Sequence, residues 1–170
     1  SGAPATFAVL GGVRPRWIVP VGKPQIARLL SSWRPYKLSS RLGWHALCGA
    51  ARGGLLHHLP GVKTFTAQGG DWRDFGWEAA TPPLTAFYVG TAGPQQKLIA
   101  LLADAEDGTP RLIVKFPLGA RAWRGIAHEY ETLQCLQAEK RFPVPAPVHL
   151  DTDKRFAAQS WLEGAPVGTG

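Results

Sequence analysis

Three prolines alternate over five residues, at Pro143, Pro145 and Pro147, and no other stretch restricts the fold of this chain as much. Each lacks the amide donor a helix needs, and each holds the residue before it in an extended conformation. The segment, which opens with Phe142, therefore ends any helix before it and leads into a strand. On its N-terminal side, Ile126, Tyr130, Leu133 and Leu136 recur at spacings of four, three and three, placing them on one face of a helix. On its C-terminal side, Val148-His149-Leu150 and the run 156–161 read as a hairpin across Asp151-Thr152-Asp153-Lys154.

Upstream of the helix the pattern is β-like. Residues 84–89 form a short β-rich run, and Gly90-Thr91-Ala92-Gly93-Pro94 reads as a turn. A second apolar run spans 97–103, Asp107-Gly108-Thr109-Pro110 turns the chain again, and 111–116 is a third strand. The order is strand, strand, strand, helix, strand, strand. The expected fold class is α+β: a five-stranded antiparallel sheet with one packed helix, occupying residues 81–170. Residues 1–80 read as a separate, largely helical basic extension, with the transition at Gly69-Gly70-Asp71-Trp72-Arg73-Asp74 and Thr81-Pro82-Pro83.

Two charged residues in this order have a chemical use. A lysine at the end of a strand can neutralise nucleotide phosphates, and a glutamate on the next helix can fix it by an ion pair. Leu112-Ile113-Val114-Lys115 supplies the first, and His128-Glu129-Tyr130-Glu131-Thr132-Leu133 the second. Glu129 has leucines four and seven residues on, which sets it at the edge of the buried face. Glu131 lies about 200° round the helix at ~3.6 residues per turn and should face solvent. His128 reads as a surface neighbour. Tyr88 and Phe116 read as core, and Trp161 as core or base-stacking.

Together with Val144-Pro145-Ala146-Pro147-Val148 and Ser160-Trp161-Leu162-Glu163-Gly164, these elements resemble the N-terminal lobe of the aminoglycoside phosphotransferase and choline kinase branch of the protein-kinase-like superfamily. The resemblance covers about half of the chain. It implies that Lys115 contacts the phosphates of ATP and that Glu129 anchors it. The backbone of Ser160, Trp161, Leu162 and Glu163 would meet the adenine, and the turn Gly90, Thr91, Ala92, Gly93 would cover the phosphates. That turn is not a three-glycine loop, and Pro94 removes one amide donor from it. The resemblance also implies a catalytic aspartate and magnesium ligands in a C-terminal lobe that would follow residue 170, so this chain alone should be inactive. The alternative is a non-catalytic, kinase-like scaffold recruited by the basic segment.

Charge divides the chain sharply. Residues 1–70 carry nine Lys and Arg with no Asp or Glu, whereas residues 71–170 carry ten against twelve. Two helices are expected in the basic part, over 24–33 with Pro24 in the first turn, and over 38–59 despite Gly43, Gly49, Gly53 and Gly54. Arg14-Pro15-Arg16-Trp17 precedes them, and Trp33 and Trp44 alternate with Arg28, Arg34, Lys37, Arg41 and Arg52. Cations beside tryptophans suit an anionic membrane surface, where rings settle among headgroups. An acidic protein partner, or a basic face packed on the lobe, is the competing reading. Nucleic acid ranks below these, because no recognition motif accompanies the charge. His57-His58 offers no metal-ligand spacing and reads as a helix end.

No run of eighteen apolar residues spans a bilayer, and the N-terminus lacks the basic start and apolar stretch of a secretory signal. The chain has no methionine, even at position 1, and reads as a fragment of a longer protein. Cys48 and Cys135 have no metal or redox spacing; Cys135 reads as a buried free thiol, with a disulfide between the two left open. A cytoplasmic setting is expected, membrane-peripheral if the basic segment meets lipid.

Overall fold

The computed structural model describes residues 4–11, 16–33, 38–68, 70–140 and 143–163. Arg14, Pro15, Arg34, Lys37, Gly69, Phe142 and Gly164, singled out above, lie outside the described residues. The chain builds strands β1 (Pro4–Leu10) and β2 (Trp17–Pro20), helices α1 (Ile26–Ser31) and α2 (Leu38–Arg52), and strand β3 (Lys63–Gln68). Then come β4 (Leu84–Val89), β5 (Lys97–Ala103), β6 (Pro110–Pro117), helix α3 (Ala122–Glu139), β7 (Pro147–Asp151) and β8 (Phe156–Ser160). All eight strands join one antiparallel sheet in the order β3-β1-β2-β4-β5-β6-β8-β7.

This corrects the expected five-stranded sheet with one packed helix behind a largely helical extension. The elements from β4 onward fall close to where the sequence places them. The segment before them is the difference, because three of its five elements are strands. β2 is hydrogen-bonded to β4, with Trp17 opposite Tyr88 and Ile18 opposite Phe87, and the Val89 amide donates to the Arg16 carbonyl at 2.8 Å. The basic segment thus extends the sheet. Residues 78–82, where the division was expected, form an exposed connection.

Directly opposed residues in a sheet share a face, so the register sorts the side chains. One face carries Ala8, Leu10, Trp17, Val19, Leu84, Ala86, Leu101 and Ala103, which form a buried core with Ile26, Leu29 and Leu30 of α1 and Cys48 and Ala51 of α2. The other face carries Ala100, Leu102, Leu112, Val114, Phe156 and Ala158, closed by Trp77 with Trp72 and Phe75 from a 3-10 turn at Trp72–Phe75. Gly76 makes that closure possible. It has φ of 84°, and a Cβ there would come within 2.5 Å of Val148 Cγ1.

Local chemistry explains where the helices stop. α2 ends at Arg52 and not near residue 59, because Gly53 and Gly54 follow and Gly54 adopts a left-handed φ of 67°. α1 is six residues, shorter than expected, and starts two residues after Pro24. His57 and His58 fall in a separate 3-10 turn and are exposed. Ile126 of α3 is buried while Tyr130, Leu133 and Leu136 are half-buried, so the helix lies on the sheet chiefly by its first half. Cys135 is exposed, against expectation, because it falls off that face; Cys48 is the buried thiol, and both are free.

Gly108 ties the two parts of the chain together. In the β5–β6 turn it has φ of 74°, and a Cβ there would come 2.2 Å from the Gln25 carbonyl oxygen at the start of α1. Beside it Arg28 of α1 pairs with Asp107 at 2.9 Å.

Candidate functional site

Ile99 of β5 lies opposite Lys115 of β6, and Ile113 opposite Gln159 of β8. Side chains alternate along each strand, so Lys97, Lys115 and Gln159 occupy the same face as the α1–α2 core, displaced toward α3. α3 packs on β6, β8 and β7 and brings Glu129 over that group. Lys115 Nζ donates to Glu129 Oε1 and, at 2.8 Å, to Gln159 Oε1. Lys97 Nζ donates to Glu129 Oε2 at 3.4 Å. One carboxylate therefore holds two ammonium groups, one on each oxygen.

Burial and charge act on this group in opposite senses. Burial is the largest influence on Lys115 and pulls its pKa below the ordinary lysine value; the Glu129 hydrogen bond and charge oppose the fall, and Lys97 adds to it. Burial also pushes Glu129 upward, but the hydrogen bond and charge of Lys115, helped by Lys97, outweigh it and leave the carboxyl below its usual range. The expected pair is thus brought together, and Glu131 is exposed as the helical angle predicts.

The turn expected to cover phosphates lies beside it. Gly90, Thr91, Ala92 and Gly93 line an open hollow of about 500 Å³ together with Lys97, Ile99 and Arg121. The turn is fastened at both ends. The Gly90 amide donates to the Lys97 carbonyl at 2.9 Å, the Gln96 amide to the Gly93 carbonyl at 3.0 Å, and the Gln96 side chain to the Gly90 carbonyl at 3.2 Å. The lead into α3 clamps it from the other side. The Arg121 amide donates to the Pro94 carbonyl at 2.9 Å, and a Cβ at Gly119 would come 2.4 Å from that oxygen. Among the described residues, the amides of Thr91, Ala92 and Gly93 have no hydrogen-bond partner. The donor missing at Pro94 is therefore outside this group of three.

The fourth expected element lies at the far end of β8. Ser160 pairs with Leu112, three residues along β6 from Lys115, a separation of roughly 10 Å at ~3.3 Å per residue. Two of its four amides are already engaged: Ser160 donates to Ala146 at 2.8 Å and Trp161 to Arg111 at 2.7 Å. Leu162 and Glu163 are exposed. Trp161 is half-buried and packs against the α1–α2 core, Tyr88 packs against the rings of both Trp17 and Trp33, and Phe116 packs on Phe75 and Phe156.

Sequence reasoning missed Lys97, Gln159, Arg121 and Arg16 as members of this neighbourhood. Period-two alternation could have put Lys97 on the face of Ile99 and Leu101, but its nearness to Glu129 depends on register and helix placement. Trp33 and Trp44, expected among lipid headgroups, pack on Trp17, and the Trp44 indole donates to the Leu30 carbonyl at 3.0 Å. The membrane expectation is left to Lys and Arg. No described helix is long and apolar enough to cross a membrane, and among the described residues no three His, Cys, Asp or Glu side chains gather to hold a metal ion.

Neither family models, curated proteins nor solved structures yield a match to this chain.

Proposed function

We propose that residues 84–163 hold a nucleotide for phosphoryl transfer, with the phosphates at Lys115 and the Gly90–Gly93 turn. The observation that carries this reading is a buried lysine fixed by a helix-borne glutamate beside an open, cation-lined hollow with three amides to spare. A lysine fixed in this way meets an anion without first losing the freedom of its four-carbon stem. The segment assigned to the adenine begins at Ser160, roughly 10 Å from Lys115 at ~3.3 Å per residue. ATP is the ligand the resemblance implies. Its magnesium finds no fit among the described residues, since no three His, Cys, Asp or Glu side chains gather and Glu129 is already bound by two lysines. The catalytic base and metal ligands are assigned by the same resemblance to a lobe beyond residue 170.

Isothermal titration with ATP tests the reading. Lys115→Ala should weaken binding by about tenfold or more, the worth of a charge-assisted hydrogen bond. Unchanged affinity in a variant that remains folded would remove Lys115 from the site and the reading with it.

A further inference from the structure

Arg16 lies in the segment before residue 80, outside the part of the chain that the kinase resemblance covers. Yet its guanidinium reaches the rim of the hollow, with Nη1 at 3.4 Å from Thr91 Oγ1 and 3.5 Å from Tyr88 Oη. Two features hold it there. The β2–β4 pairing fixes its backbone through the Val89 amide, and Trp17 and Trp33 pack against the Tyr88 ring. Arg121 lines the hollow from the start of α3. Among the described residues no carboxylate lies within ion-pair distance of Arg16 or Arg121. Lys97 and Arg121 thus line the hollow, Arg16 reaches its rim at Thr91, and Lys97 shares Glu129 with Lys115, so four cations meet one carboxylate in this neighbourhood. That excess of positive charge disfavours the empty state and favours an anion with several charges.

We infer that Arg16 and Arg121 are further phosphate-binding residues, and that the chain leading into β2 completes a polyphosphate site instead of belonging to an independent basic tail. The inference deepens the nucleotide reading and rests on it for the identity of the ligand. A guanidinium offers paired donors matched to phosphate oxygens. Arg16 and Arg121, with the Thr91, Ala92 and Gly93 amides between them, could grip a chain of phosphates that Lys115 alone would touch at one end. The base contributes nothing to this grip, so inorganic tripolyphosphate should bind without it.

The experiment titrates the 170-residue chain with inorganic tripolyphosphate, ATP and adenosine, at two salt concentrations. Tripolyphosphate should bind, and Arg16→Ala and Arg121→Ala should each weaken it about tenfold while flattening its salt dependence. Adenosine binding should be unmoved by either. Arg16→Lys should recover much of the tripolyphosphate affinity, which a purely structural bridge between Tyr88 and Thr91 would not require. Tripolyphosphate binding that is indifferent to both arginines overturns the inference, and ATP binding that still needs Lys115 then leaves the nucleotide reading standing. A loss with Arg121→Ala alone overturns the role of the chain leading into β2. Arginine-dependent tripolyphosphate binding with no gain for ATP and no effect of Lys115→Ala supports the anion site and overturns the nucleotide reading. Failure of both ligands to bind overturns both.

Discussion

The same sheet face is closed at one end and open at the other, and the switch takes only two residues along each strand. Under α1 and α2 it presents Trp17, Tyr88, Leu101 and Ile99, with Trp17 touching the rings of Trp33, Trp44 and Tyr88. Two positions on from Ile99 and Ile113, it presents Lys97 and Lys115, and α3 answers with a carboxylate. The side chains that α1 and α2 bury against the closed end, Ile26, Leu29, Leu30, Cys48 and Ala51, are apolar, and packing them there expels water. Beside α3 the sheet is only partly covered, and the charges there can be held in place without being fully neutralised. The closed end gives the open end its rigidity.

The sharpest way to break that relation is to remove the ring at its centre. Trp17 is buried to 7% exposure and lies opposite Tyr88, which in turn supports Arg16. Trp17→Ala should cost about 3–5 kcal/mol in denaturant unfolding, from lost burial and the cavity left behind. It should also weaken tripolyphosphate binding, although Trp17 does not line the hollow. Full stability would mean that the two ends are independent.

Gly108→Ala attacks the second tie. The new Cβ would meet the Gln25 carbonyl, and a left-handed φ adds strain, so a loss of about 1–3 kcal/mol is expected. Because the clash is with backbone, relief requires α1 to move off the β5–β6 turn. Hydrogen exchange should quicken in α1 before it does in α3. Uniform exchange across both helices would deny that the closed end is a unit of its own.

The two ends also differ in how readily sequence discloses them. The runs at 84–89 and 97–103, the helix with its 126, 130, 133 spacing and the proline stop are all local signals that fall where the sequence puts them, and the run at 156–161 ends one residue early, at Ser160. Lys115 and Glu129 could be paired in advance because strand end and helix edge are themselves local statements. β1 and β2 escaped because a seven-residue and a four-residue strand become visible only through their partners. β3 is an edge strand, Lys63-Thr64-Phe65-Thr66-Ala67-Gln68, largely exposed on both sides, so it has no alternation of burial to betray it. The placement of Arg16 at Thr91 follows from the β2–β4 pairing across 75 positions of sequence, which no periodicity encodes.

At the open end the expected effects are smaller. Glu129→Gln leaves a buried ammonium facing a neutral amide, while Lys97 loses its partner as well. Since Glu129 is 38% exposed, solvent should temper the loss to about 1–2 kcal/mol. Affinity for ATP should fall more than stability does, because Lys115 is no longer fixed. A variant with unchanged affinity would show that the carboxylate has no part in positioning it.

The smallest effects lie in pH. Glu129 has its native pKa below the unfolded value, so its contribution to stability is complete above the ordinary carboxylate range and disappears as pH falls through the native value. Wild-type protein should therefore lose stability on acidification more steeply than Glu129→Gln. Lys115 changes stability in the same direction, over an alkaline interval. Its native pKa is also below its unfolded value, so the native state gains stability as pH rises from the native lysine value toward the unfolded one. Binding of a phosphate needs the charged lysine and should weaken over that same alkaline interval, with proton uptake on binding. Lys115→Arg stays charged throughout and should carry its affinity, whatever its size, across the interval without that decline. If wild type and Lys115→Arg decline together, the titrating group lies elsewhere, and the lysine at the open end does not touch the ligand.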